Sequence, residues 1–336
     1  MGYLETGLWA DVRDLPAALQ ATLEAAEGVA ESAALLTDPS VERIVATGNG
    51  AAYYVAHALW LASLEGVGGA PPIVAVPCGI AVREQFRWEP GDAVLAVSSS
   101  GRFRDVVEIA EQAAGRPCVA LTASPDSPLA AAASATVVQR VFSQRAVTHT
   151  QAVAGAYASG LALWAAVTGD EVLSALLGAA ADAARSAVAE AEAWAAGALE
   201  GLAVPPAAIT VGGGTAWAAA LELALMLKEI SRVPAEGVET REGATSAMFG
   251  LDRGHLMVSL DAEGDPLGDE AVRLCAAAGA TTLRLPGVAG GDSRLSPITT
   301  LPAASALAAE LALAAGHDVD EPTWTDAYYE TARSAT

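Results

Sequence analysis

Basic residues are scarce in this chain. Its 336 residues include 18 Lys and Arg against 40 Asp and Glu, a net charge of −22. A general nucleic-acid binder needs a basic face to displace counterions, so the balance argues against that class. It argues equally against docking on anionic membranes. Cysteine is rare too: Cys78, Cys118 and Cys275 lie far apart, form no CxxC and have no metal-like spacing. An odd count in a chain of this length points to a reducing compartment. The four histidines, His57, His149, His255 and His317, include no HxxxH pair. No metal site and no cofactor are expected. The first residues lack a basic stretch followed by an apolar block, so no signal peptide is expected. No apolar run reads as long and pure enough to span a bilayer. A soluble cytoplasmic protein with a self-repelling acidic surface is the expectation.

What the chain has in quantity is alanine and other apolar residues, 53% in all, enough for a substantial core. Residues 10–37 read as one or two Ala/Leu helices, with Asp14 and Pro16 near a start. Arg43-Ile-Val-Ala-Thr-Gly-Asn-Gly50 reads as a buried strand ending in glycines, followed by a helix over 51–61. Strands over 93–97, 118–121 and 136–140 and a helix over 103–114 continue the alternation. Residues 146–200 read as helical. The pattern then restarts. Ala208-Ile-Thr-Val-Gly-Gly-Gly214 repeats the strand-to-glycine turn, with a helix over 215–230, a strand over 255–260, a helix over 267–278, a strand over 281–285 and a helix over 301–315. Strands and helices alternating in this way predict an α/β protein with parallel sheets covered on both faces, doubly wound and flavodoxin-like. The expected division is a helical segment over 1–39, a first α/β subdomain with a helical extension over 40–200, and a second with a C-terminal tail over 201–336.

The candidate chemistry falls where such sheets bind ligands, at the carboxyl ends of strands. Ser98-Ser-Ser-Gly101 follows a strand and precedes a helix, and Arg102 and Arg104 adjoin it. One serine there would be a plain N-cap. Three hydroxyls beside free helix N–H groups make an anion seat suited to phosphate. The stretch has neither the P-loop frame nor the nucleophile elbow. Gly48-Asn-Gly50 opens another helix after a strand. In the second half, Glu222 and Glu229 are seven residues apart on an otherwise apolar helix and so share a face. A carboxylate in a semi-buried cleft has a raised pKa and can shuttle protons. Ala235-Glu-Gly-Val-Glu-Thr-Arg-Glu-Gly-Ala-Thr-Ser246 reads as a polar loop between helix and strand. His149 sits at a loop-to-helix junction.

These motifs resemble the sugar isomerase (SIS) domain family, and in particular the isomerase half of glucosamine-6-phosphate synthase. The resemblance covers nearly the whole chain. It is carried by Asp14-Leu-Pro-Ala-Ala-Leu19, Gly48-Asn-Gly-Ala-Ala-Tyr53, Ser98-Ser-Ser-Gly101, Thr148-His-Thr-Gln151, Leu227-Lys-Glu-Ile-Ser231 with Ala235-Glu236, and Gly316-His-Asp-Val-Asp-Glu-Pro322. It implies two SIS subdomains, a homodimer, and a phosphosugar held at the serine cluster. It implies that Glu229 moves a proton between C1 and C2 of the sugar. The substrate-binding set it suggests is Gly50, Ser98, Ser99, Ser100, Arg102, Thr150, Glu222, Glu239 and Arg241.

The departures are as specific. Ala52 and Phe103 stand where the family has a phosphate-binding Ser and Thr, and Ser99 replaces a Gln. The family's ring-opening His has no histidine counterpart; motif matching gives Glu242, ungapped counting gives Thr245, and His149 is a third candidate. The family's C-terminal Lys falls at Ala327. No glutaminase domain is expected, which argues against glutamine-dependent amination. Two main readings and a weaker third follow. One is a sugar-phosphate isomerase, or an aminosugar isomerase or deaminase, with Glu229 as base. The other is a SIS protein that senses or sequesters a phosphosugar. An isomerase for an unphosphorylated or atypical substrate is a third.

Overall fold

In the computed structural model, the described residues are 2–65, 68–83, 86–113, 115–287, 292–321, 327, 330 and 332. The helix end expected at Ala114 and the last residue of the C-terminal motif, Pro322, lie outside them, as does most of the tail. The chain divides into two compact units. One comprises 17–142 and 151–181, and the other 1–16, 143–150 and 182–322.

The first unit carries β1 (Arg43–Thr47), β2 (Ile73–Ala75), β3 (Asp92–Val97), β4 (Cys118–Thr122) and β5 (Ala135–Val138). They form an all-parallel sheet in the order β2-β1-β3-β4-β5. This is the doubly wound, flavodoxin-like order expected from the sequence. β3 and β4 are buried at every residue, because helices cover both faces of a parallel sheet and leave no polar side. The helices are α2 (Val29–Leu36), α3 (Ala51–Leu64), α4 (Cys78–Ala81), α5 (Arg104–Gln112), α6 (Pro128–Ala132), α7 (Gln151–Thr168) and α8 (Glu171–Gly178). The strand order reverses between β1 and β3, the place where open α/β sheets bind ligands.

The second unit repeats the plan with β6 (Ala208–Gly212), β7 (Ala235–Glu239), β8 (Leu256–Ser259) and β9 (Thr281–Arg284), parallel in the order β7-β6-β8-β9. Its helices are α10 (Thr215–Glu229), α11 (Thr240–Thr245), α12 (Pro266–Ala277), α13 (Ser296–Thr299) and α14 (Leu301–Ala314). Two further helices, α1 (Gly7–Ala25) and α9 (Ala180–Ala198), contain two of the points where the chain passes from one unit to the other; it also passes before Ser143 and after Thr150.

Several expectations are corrected. The helix expected to begin near Asp14 begins at Gly7, and Pro16 lies inside it. Its start is capped from far along the chain: Asp320 accepts the N–H groups of Gly7 and Leu8 at 2.7 and 2.8 Å. The Thr6 hydroxyl adds a local cap, accepting from the Trp9 N–H at 3.2 Å. Residues 146–150 are not helical, and α7 begins at Gln151. The supposed loop over 235–246 holds edge strand β7 and helix α11. An edge strand exposes one side and tolerates the glutamates that made it read as a loop. β2, at three residues, was too short to register. The stretch 293–314 is apolar enough by length and composition to cross a membrane, contrary to expectation, but it is 78% buried within the protein.

Packing at the turns is tight enough to test. A methyl on Gly212 would lie 2.3 Å from the Ala216 carbonyl oxygen, whereas one on Gly197, in α9, meets nothing within 4 Å. Gly212→Ala is expected to cost about 1–3 kcal/mol in urea unfolding. Gly197→Ala should be neutral or stabilise by about 0.5 kcal/mol through helix propensity. Equal midpoints for the two variants would contradict the close approach.

Candidate functional site

In the first unit, two turns meet the ligand edge from adjacent strands. β1 ends at Gly48-Asn49-Gly50, and Gly50 caps α3 with φ 55 and ψ −129. The N–H groups of Ala52 and Tyr53 bond back to the carbonyls of Asn49 and Gly50 at 3.1 and 2.9 Å. Those of Asn49, Gly50 and Ala51 meet no acceptor among the described residues. They lie at the positive end of a 14-residue helix. Beyond β3, Ser98 is buried and Ser99 and Ser100 are half-buried. The Gly101 N–H donates to the Ser98 hydroxyl at 3.2 Å, and the Ser99 carbonyl accepts from the Thr122 hydroxyl and the Ala123 N–H, each at 3.0 Å. Gly101 has φ +59, and a methyl there would sit 2.0 Å from the Ser127 Oγ, so only glycine fits. The turn is thus braced on β4 and α6, while the N–H groups of Ser99 and Ser100 remain without an acceptor among the described residues. The serines are not themselves the helix start: α5 begins at Arg104, capped by Phe103, which offers no side-chain bond. Arg102 is exposed.

The second unit carries the carboxylates. Glu222 is buried, and its Oε2 has no hydrogen-bond partner among the described residues. Burial first, and the nearby Glu229 second, push its carboxyl up to about 8. Glu229 is half-buried. Burial raises it to about 7, against a lowering by Lys228. The helical spacing therefore does bring the two into electrostatic contact on one face of α10. Lys228, the only lysine in the chain, is exposed.

The segment 143–150 is strapped down within the same unit. Buried Asp11 accepts from the N–H groups of Arg145 and Ala146 at 2.6 and 3.1 Å, from the Arg145 guanidinium at 3.0 Å and from the Ser143 hydroxyl at 2.9 Å. The Val147 N–H donates to the Asp320 carbonyl at 2.9 Å. This positions half-buried His149, whose Nε2 lies 2.8 Å from the Gln144 amide, and buried Thr150, whose hydroxyl has no partner among the described residues. Asp11 had no signal in the sequence beyond its place before Asp14.

The remaining candidates lie on α11. Glu239 caps it, accepting from the N–H groups of Arg241 and Glu242 at 2.8 and 3.2 Å. Arg241 pairs with Glu270 at 3.0 Å. Glu242 and Thr245 are exposed, and the Thr245 hydroxyl donates to the Arg241 carbonyl at 2.8 Å. Gly50, Ser98, Ser99, Ser100 and Arg102 thus share one sheet edge. His149, Thr150, Glu222, Glu229 and the α11 group belong to the other unit. The cysteines are buried, and burial pushes the Cys78 and Cys118 thiols up to about 12, which leaves them inert.

No protein-family model and no curated protein matches the sequence. Solved structures do. A protein provisionally named a phosphosugar isomerase, from Silicibacter pomeroyi, shares 25% identity over 94% of this chain and 100% of its own, with a TM-score of 0.76. The C-terminal domain of glucosamine-fructose-6-phosphate aminotransferase from Francisella tularensis matches at 16% identity and TM-score 0.79, covering 94% and 98%. Tagatose-6-phosphate ketose/aldose isomerase from Escherichia coli matches at 18% and 0.78, covering 95% and 96%. The chain has the SIS fold of these neighbours, as the resemblance in its sequence implied.

The buried carboxyl makes stability depend on pH. With a folded value near 8 against an ordinary 4.5, Glu222 keeps its proton in the folded state across that interval. Its stabilising contribution is complete below about pH 4.5 and is lost as pH rises to about 8. Glu222→Gln removes this dependence. Between pH 5 and 9 the wild type should lose stability relative to the variant, by about 1.4 kcal/mol for each tenfold difference in proton affinity. A gap independent of pH in urea titrations would refute the buried acid.

Proposed function

We propose that the chain is a sugar-phosphate isomerase, or an aminosugar isomerase or deaminase, in which Glu229 is the base. The observation that carries the reading is the raised carboxyl of Glu229, near 7, beside Glu222 on one face of α10. A general base is most effective when its pKa lies near the working pH. Glu229 takes the proton from the carbon next to the substrate carbonyl, leaving an enediol or enolamine. The same carboxyl returns a proton to the adjacent carbon, a proton passes from the hydroxyl oxygen or amine nitrogen to the former carbonyl oxygen, and the carbonyl or imine ends one position along. In the aminosugar case, water then replaces the imine nitrogen and ammonia leaves. The phosphate is held by the N–H groups around Gly50, Ser99 and Ser100, whose donors are mainly backbone and therefore do not require the missing Ser and Thr. Arg102 adds the positive charge nearest to them in sequence.

Ring opening falls to His149, Glu242 or Thr245, which with Thr150, Glu222, Glu239 and Arg241 belong to the same unit as Glu229. The single lysine, Lys228, is no substitute for the family's C-terminal Lys, so a Schiff-base route is not part of the reading. A cytoplasmic homodimer is its natural setting. The second reading, a phosphosugar sensor, draws on Ala52, Phe103 and Ala327. It leaves unexplained why a binding module would bear the cost of one buried and one half-buried carboxyl on one helix face.

Incubation with hexose and pentose phosphates in heavy water is expected to place deuterium at C2 of one of them. Glu229→Gln should lower that exchange at least 1,000-fold while changing affinity less than tenfold. Exchange that survives the substitution would remove Glu229 as base. Binding without exchange, for every sugar phosphate that binds, would favour the sensor.

A further inference from the structure

The two sheets repeat one backbone device with opposite charge. Gly50 (φ 55, ψ −129) caps α3 and Gly214 (φ 54, ψ −135) caps α10 in nearly the same conformation. Ala52 and Tyr53 bond back to Asn49 and Gly50, just as Ala216 and Trp217 bond back to Gly213 and Gly214, all between 2.9 and 3.1 Å. On the neighbouring strands, Thr47 pairs with Ala96 and Val211 with Ser259. Two residues further on, Ser98 and Asp261 occupy the same position. The match continues to Gly101 and Gly264, both with positive φ, at 59 and 86. Ser-Ser-Ser-Gly-Arg over 98–102 thus corresponds to Asp-Ala-Glu-Gly-Asp over 261–265.

The chemistry at the matched positions is inverted. The Gly213 N–H donates to the Asp261 Oδ1 at 2.7 Å, and the other carboxylate oxygen accepts from the Thr240 hydroxyl, also at 2.7 Å. Asp261 is buried. At the first sheet the equivalent N–H, of Asn49, has no acceptor among the described residues, and the residue in place of Asp261 is a neutral serine. Arg102 supplies a positive charge where Asp265 supplies a negative one, and Glu263 replaces Ser100. The second copy shows what this backbone turn accepts: an oxygen of an anionic group, at hydrogen-bond distance.

We propose that Asp261 is a resident anion of the second sheet. Its carboxylate takes the position that a ligand's anionic oxygen takes at the first sheet, so each chain binds one phosphate-class anion, at the first sheet alone. This rests on the phosphate reading above, and it makes Asp261 a residue that decides which of two duplicated edges is a binding site.

Titration of the isotope-labelled full chain with inorganic phosphate tests it. The amides of Asn49, Gly50 and Ser99 should shift, those of Gly213 and Gly214 should not, and calorimetry should count one phosphate per chain. Ser98→Asp copies the second sheet into the first, giving the Asn49 N–H an internal acceptor. It should weaken phosphate binding at least tenfold and leave the Gly213 amide unmoved. Two phosphates per chain, a shift at Gly213, or unchanged binding by Ser98→Asp would overturn the proposal. Should the variant fail to fold, the wild-type amide map decides by itself. Phosphate that moves no amide at either sheet would overturn the phosphate reading and the proposal together, whereas binding at both sheets would overturn the proposal alone.

Discussion

A backbone N–H at the end of a parallel strand must find an acceptor, and much of this molecule is arranged around how that demand is met. Where a strand turns sharply into a helix, the first N–H groups have no partner in the helix they begin. The protein meets the demand in several ways. At Gly213 the carboxylate of Asp261 supplies the acceptor, and at α1 the carboxylate of Asp320 does. At Asn49, Gly50 and Ala51 no described residue supplies one. The difference leaves one turn satisfied by a side chain of its own unit and the other without an acceptor among the described residues. It is set by single side chains on an otherwise repeated backbone.

Glu222 and Glu229 show the reverse situation, in which acidic groups are held against their preference. Burying a carboxyl without a hydrogen-bond partner costs stability unless the group keeps its proton. On α10 the cost is concentrated on one helix face. Proteins retain such destabilising arrangements mainly where chemistry uses them. The strap formed by Asp11 and Asp320 serves the same unit. It converts a polar segment that read as helix into a fixed turn bearing His149 and Thr150, with Asp11 alone satisfying two backbone N–H groups. The neighbouring structures named above share the fold at low identity, so the correspondence lies in topology more than in side chains.

Much of this was legible in the chain. The uninterrupted apolar runs at 93–97 and 118–121 read as buried strands and are buried at every residue in the fold, and the glycine turns read after β1 and β6 stand at the carboxyl ends of those strands. The i, i+7 spacing of Glu222 and Glu229 correctly put them on one face. What escaped were elements whose stability is not local. β7 carries glutamates because it is an edge strand, and its pairing with β6 is invisible in its own composition. Residues 146–150 have no helix-breaking residue, yet long-range bonds to Asp11 and Asp320 hold 145–147 outside a helix.

By itself the sequence determined the α/β plan, the serine turn and the shared helix face. Each of these depends on periodicity or on residues adjacent in the chain. Only the tertiary structure decided which backbone groups are satisfied and which carboxyls are desolvated. Asp261 lies 48 residues from the Gly213 N–H it satisfies, and Asp320 lies 313 from Gly7. Burial of Glu222 is a property of the elements packed around α10. Hydrogen-bond acceptors and dielectric surroundings are set by what folding brings near, and that information is not carried by any one segment.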